Sequence, residues 1–169
     1  PDLEHGTSIR IGTKALSYWP YRFVTDDDAD DLLRLFETLA ERGKHLAIMA
    51  HINHWRELEP PIVAEAIRRL RDTGGSIRAQ SPVLGHINDD AEAWSRLWCD
   101  EVGHGIYPYY MFVERDTGAK GYFEIPLVRA WQVYRDAMRT VSGLARTARG
   151  PSMSTGPGKI EIQGVTEVQ

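Results

Sequence analysis

The chain has 169 residues, 42% hydrophobic and 26% charged, which is too apolar for a disordered segment and suits one folded domain or one large piece of a bigger one. Twenty basic against 24 acidic side chains leave a net charge of −4, which argues against nucleic acid or an anionic membrane surface as partner. The single cysteine, Cys99, excludes an intrachain disulfide and a multi-cysteine zinc or iron–sulfur site, and no apolar run reaches the ~18 residues of a membrane span.

In chain order the elements alternate. Ser8 to Ile11 reads as a short strand closed by Gly12, already under way so near Pro1 that a segment of a longer protein is expected. Thr25 stands three residues before Asp28, a capping-box spacing, and Leu32, Leu35, Phe36 and Leu39 follow at helical spacing up to Gly43. Asp26 to Asp28 would supply the negative first turn of that helix. Leu46 to Ala50 is a continuous apolar run, as in a strand buried on both faces of a parallel sheet. Pro60 and Pro61 open a helix carrying Ile62, Val63, Ala66, Ile67 and Leu70, which Gly74 and Gly75 end. Ser76 to Ser81 predicts a third strand, Asn88 or Asp89 the cap of a helix bearing Trp94, Leu97 and Trp98, and Ile106 to Val113 a fourth strand. Pro126 opens a helix with Leu127, Trp131, Tyr134, Met138 and Val141 on one face. A Gly/Pro/Ser-rich stretch, Gly150 to Gly158, then separates it from a last strand, Ile160 to Ile162.

Strand starts near residues 8, 46, 76 and 106 repeat at roughly the length of a βαβ unit. The fold class is therefore α/β, parallel strands with outer helices, and the pattern fits an open doubly wound sheet and a section of a βα barrel equally. Trp19, Trp94, Trp98 and Trp131 are expected to fill helix–sheet contacts, and Cys99 to be a packed thiol.

In either architecture ligands bind at the C-terminal strand ends. His51, Asn53 and His54 follow the second strand, Gln80 and Ser81 end the third, Tyr109, Tyr110, Arg115 and Asp116 lie along and after the fourth, and Lys159 follows a Gly-Pro-Gly turn. The His51-Ile-Asn-His54 pair lacks the His-Glu-x-x-His spacing of a helical zinc site, so no metal ligand is assigned. Thr155-Gly-Pro-Gly-Lys159 is no P-loop, because neither Ser/Thr nor a helix follows the lysine. A lysine on such a turn can instead form a Schiff base with a carbonyl cofactor, or be a solvated surface charge.

These residues carry a resemblance. Ile9-Arg-Ile-Gly-Thr-Lys14 with Pro20-Tyr-Arg22, His51-Ile-Asn-His54, Gln80-Ser81, Asn88-Asp89, Pro108-Tyr-Tyr110, Ser142-Gly143 and Gly156-Pro-Gly-Lys159 are similar, in order and spacing, to motifs of the C-terminal half of lysine 2,3-aminomutase-like radical S-adenosylmethionine (SAM) proteins. The resemblance runs nearly end to end. It implies a partial βα barrel of the radical SAM type over residues 1–145 and a C-terminal lysine segment over 146–169. It implies that Lys159 holds pyridoxal phosphate, that His51 and Gln80 lie near S-adenosylmethionine, and that a [4Fe–4S] cluster generates a 5′-deoxyadenosyl radical for 1,2-amino migration. The family's cluster motif, Cys-x-x-x-Cys-x-x-Cys, precedes the matched region and is not in this chain, so the chain alone is expected to be inactive. A small amino acid substrate, a cytoplasmic setting for the oxygen-sensitive cluster and the family's tendency to form homo-oligomers complete the implication.

One departure bears on substrate. Lysine-specific relatives place aspartates at the positions of Arg115 and Ser152; here neither is acidic, although Asp116 is one residue away. An ammonium buried without a carboxylate costs roughly 3–5 kcal/mol. An anionic or neutral side chain is therefore expected, with Arg115 as its partner if it is a carboxylate. A pyridoxal-phosphate-independent radical SAM enzyme and a non-catalytic barrel module are the alternatives.

Overall fold

The computed structural model describes residues 5–114 and 119–166. Within the described residues six strands form one sheet in the order β1-β2-β3-β4-β5-β6: β1 (Ser8–Thr13), β2 (His45–His51), β3 (Ser76–Val83), β4 (Tyr107–Val113), β5 (Arg149–Thr155) and β6 (Gly158–Glu161). β1 to β5 are mutually parallel and β6 returns antiparallel on β5. Spatial order follows chain order without a reversal, whereas a doubly wound sheet reverses at a switch point. Right-handed crossovers in one direction put every helix on the same face. The architecture is thus a section of a βα barrel, with helices outside and an inner face opposite them.

The helices are α1 (Ala15–Tyr18), α2 (Ala29–Glu41), α3 (Pro61–Asp72), α4 (Ala91–Gly103), α5 (Lys120–Phe123) and α6 (Leu127–Thr140). Their apolar faces meet the outward residues of the strands: Leu33 and Phe36 of α2, Val63, Ile67 and Leu70 of α3, Trp94, Leu97 and Trp98 of α4 and Val133 of α6 join Leu46, Ile48, Ile77 and Met111 in one core. Pro61 occupies the first turn of α3, where its missing N–H is no loss. The cap of α4 is Asp90, one or two residues later than expected, because Asn88 is buried and engaged elsewhere; the Asp90 carboxylate accepts from Ala93 N–H at 2.8 Å.

Several expectations are corrected. No capping box forms at Thr25; α2 starts at Ala29, and the Asp28 side chain does not cap it but pairs with Arg22 at 2.5 Å. Trp19 is 56% exposed, held by Asp26 at its indole N–H. Cys99 is exposed rather than packed. The buried stripe of α6 is Ala130, Val133 and Ala137, a rotation that leaves Leu127 in solvent. The Gly150–Gly158 stretch is no separator: it contains the fifth parallel strand, and the strand at Ile160 is antiparallel. Gly150, at φ 137°, is required in that strand, since a Cβ there would lie 2.4 Å from the Met111 carbonyl oxygen. Glycine is what lets β5 approach β4 so closely.

Candidate functional site

The C-terminal end of β2 turns sharply after His51, and four side chains fix that turn. Lys14 Nζ donates to the His51 carbonyl at 3.1 Å and pairs with Glu57 at 2.7 Å. Glu57 in turn accepts from Asn53 N–H at 2.9 Å. Ser81 Oγ donates to the Ile52 carbonyl. Asn88 Nδ2 donates to the Asn53 carbonyl at 2.8 Å and the Pro82 carbonyl at 3.0 Å, while its Oδ1 accepts from Leu84 N–H at 2.7 Å. Asn88 therefore ties the β2 turn to the β3 turn.

Within this frame His51 is half-buried, and both its Nε2 and Asn53 Oδ1 are buried without a hydrogen-bond partner. Burial holds the His51 pKa below its ordinary value of 6.5, with the Lys14 charge adding to the effect. Asn53 and Glu57 oppose it; Asn53 is close enough to favour the protonated ring but not in bonding geometry. Gln80, on β3, pairs in register with His51 of β2 on one side and with Tyr110 of β4 on the other. His54 is spent on structure: its Nδ1 accepts from Arg56 N–H at 3.2 Å and caps the following turn. Among the described residues no group of three or more His, Cys, Asp or Glu could hold a metal.

A register shift between Ala79 and Gln80 of β3, opposite Pro108 to Tyr110 of β4, leaves Tyr109 as the extra residue. Both tyrosines consequently line one cavity of about 200 Å³ with Arg149, Ser152, Lys159 and Glu161. Lys159, cross-strand from Ser154, places its Nζ 3.9 Å from the Tyr110 ring centroid. No carboxylate among the described residues pairs with it; Glu161 is taken by Arg149 at 2.8 Å. Tyr110 is 5.7 Å from Phe112, and Phe112 is 6.0 Å from His51, so an aromatic path joins Lys159 to the β2 turn. The structure thus gathers His51, Gln80, Ser152 and Lys159 on one face. Ser152 is buried and donates weakly to the Met111 carbonyl at 3.4 Å. Arg115 and Asp116 lie outside the described residues.

Sequence reasoning passed over three groups. Lys14 and Arg149 appeared only inside a motif or not at all. Glu114, two residues beyond Phe112, has a buried Oε2 without a partner, and strand parity could have flagged it.

A singly wound sheet with polar side chains converging at its C-terminal strand ends is the build of a βα-barrel section. No protein-family model matches the sequence. The chain is similar to lysine 2,3-aminomutases over nearly its whole length. It is 35% identical over 98% of its length to a candidate L-lysine 2,3-aminomutase of Aquifex aeolicus, covering 43% of that protein. It is 28% identical over 91% of its length to an L-lysine 2,3-aminomutase of Haemophilus influenzae, covering 44% of it, and 29% identical over 72% to one of Escherichia coli, covering 36%. The chain therefore spans less than half the length of these relatives. A radical SAM methyltransferase from Sphaerobacter thermophilus is a distant structural likeness, at TM-score 0.44 and 12% identity over 64% of this chain and 36% of that one. Among the described residues no helix is long and apolar enough to cross a membrane.

Proposed function

We propose that this chain is the C-terminal part of a radical SAM, pyridoxal-phosphate-dependent amino acid 2,3-aminomutase whose substrate is not lysine. The carrying observation is Lys159: an amine over a flat aromatic ring, in a cavity, with no carboxylate to hold its charge among the described residues. Those features fit a planar carbonyl cofactor. The orphaned His51 Nε2 and Asn53 Oδ1 fit a polar ligand above the β2 turn. The single cysteine, exposed on α4, does not fit an iron–sulfur cluster, whose ligands would lie outside this chain.

When bound, the two cofactors would supply a carbon radical and a conjugated ring that carries the amino group through its shift. The chain's own residues set the geometry. Lys159 would anchor pyridoxal phosphate through its amino nitrogen, with the Tyr110 face beneath. His51, Gln80 and Asn53 would face S-adenosylmethionine. Because burial disfavours its charged form, His51 would meet that cationic ligand as a neutral ring.

Substrate choice follows from charge. The Lys159 cavity offers Arg149, Lys159 and an already paired Glu161, and Ser152 contributes only a hydroxyl. A cationic side chain finds no free carboxylate in that lining, so an anionic or neutral one is favoured. The orphaned Glu114 oxygen favours a second reading, in which it receives a cationic side chain.

The test is to add pyridoxal phosphate to the protein, reduce with borohydride and map the label by mass spectrometry. Labelling at Lys159 over Lys14, Lys44 and Lys120 is expected. Even labelling of all four would overturn the role of Lys159, as would full activity of Lys159→Ala in the cluster-loaded protein. Turnover of lysine as fast as glutamate would overturn the substrate reading.

A further inference from the structure

On the inner face below the Lys159 cavity, the geometry points to an oxyanion site formed by Arg10 of β1 and Arg78 of β3. The two arginines flank β2 on the same face, since Arg10 pairs in register with Ala47, and Arg78 with Met49. Both guanidinium groups approach one ring, Tyr109, at 6.0 and 5.7 Å from its centroid. Ser8, His45, Ala47 and Met49 complete a cavity of about 190 Å³ around them.

Neither arginine makes a hydrogen bond or ion pair with any described residue, although Arg69, Arg135 and Arg149 each find a carboxylate. Nor could one be found on the sheet nearby: β1, β2, β3 and β4 contain no Asp or Glu at all. A tyrosine face attracts a cation but cannot neutralise it. Two convergent forks of N–H donors match the oxygens of a carboxylate or phosphate. Tyr109 also lines the Lys159 cavity, so the two spaces share a wall. The oxyanion is either the anionic end of a molecule held at Lys159 or a separate carboxylate or phosphate. In its first form the inference rests on the Lys159 reading; in its second it stands without it.

The first experiment titrates inorganic phosphate into the ¹⁵N-labelled chain and follows arginine Nε–H resonances. A saturable shift confined to Arg10 and Arg78 is expected, weakened at least about tenfold by Arg10→Gln or Arg78→Gln. Shifts that never saturate, or that spread evenly over all arginines, overturn the site. Arg10→Lys keeps the charge but loses the fork, and should recover only part of the binding. The second arm labels Lys159 with pyridoxal phosphate and with pyridoxal, which lacks the phosphate. If the double Gln variant lowers labelling by the first aldehyde to the level of the second, the oxyanion belongs to the molecule at Lys159. If phosphate binding falls and both labellings stay level, the oxyanion is a separate one. Failure of both aldehydes to select Lys159 in the unaltered chain would remove the Lys159 reading and leave the phosphate result to decide this one.

Discussion

The two faces of the same sheet are made of alternate residues and obey opposite rules. On β2 the outward Leu46, Ile48 and Ala50 join the core shared with the helices, while the inward set runs His45, Ala47, Met49 and His51, apolar in the middle and polar at both ends. On β3 Ile77 and Ala79 join the core, and the alternate residues Arg78 and Gln80 face the other way. The outer face holds the fold together by apolar burial, at roughly 25 cal/mol per Å². The inner face also carries polar and aromatic groups, among them His51, Gln80, Tyr109 and Tyr110, that stand outside that core cluster. Substitutions on the two faces should therefore separate stability from binding.

The largest effects are expected outside. Trp94 is buried, its ring lies 5.3 Å from Trp98, and its Nε1 donates to the Asn88 carbonyl at 2.6 Å. Trp94→Ala should cost about 3–5 kcal/mol in denaturant unfolding. Gln80→Ala should cost under about 0.5 kcal/mol in the same measurement, as expected away from packed or paired groups. Equal losses would break the contrast between the faces. Asn88→Ala comes next. It strips a partner from Leu84 N–H and from the carbonyls of Asn53 and Pro82, and leaving such groups unpaired costs about 1–3 kcal/mol. It should also loosen the β2 turn, seen as faster amide exchange at Asn53.

The two faces also explain what the sequence disclosed. β2 and α3 were legible because their apolar residues all join one core, so composition and period agree. β5 was not, because Gly150, Pro151 and Ser152 lack strand propensity; the strand exists through close approach to β4 and its hairpin with β6. Lys159 was visible only as a residue type on a turn. Its position over Tyr110 depends on the Tyr109 bulge and on that hairpin, neither of which has a local pattern. Glu101 was invisible, since nothing in Asp100-Glu101 says which carboxylate faces inward.

Glu101 gives the third prediction, a polar exception on the apolar side. It is buried on α4, its Oε2 has no partner, and burial followed by the Asp100 charge pushes its pKa well above the ordinary 4.5. Between the unfolded and folded values the unfolded chain binds fewer protons. Stability should therefore fall as pH rises from about 4.5, by up to about 1.4 kcal/mol per pH unit from this group. Glu101→Gln should flatten that slope and stabilise the protein at neutral pH. A variant with the same slope would place the pH dependence elsewhere.

The smallest effect is the most local. Lys14 lowers the His51 pKa, but as the second cause after burial. Lys14→Met removes the charge and leaves the ring half-buried, so the His51 titration followed by NMR should move up toward 6.5 without passing it. The loss of the pair with Glu57 should cost no more than about 1 kcal/mol, since both side chains keep partial access to water. Glu57→Gln should move His51 the opposite way, because Glu57 is among the groups that raise its pKa. Opposite shifts from the two halves of one ion pair would show that the pair sets the charge at the end of β2 as well as the shape of the turn. Shifts of the same sign would mean that both variants act by rearranging the turn, and the polar face would then owe its electrostatics to backbone geometry rather than to Lys14 and Glu57.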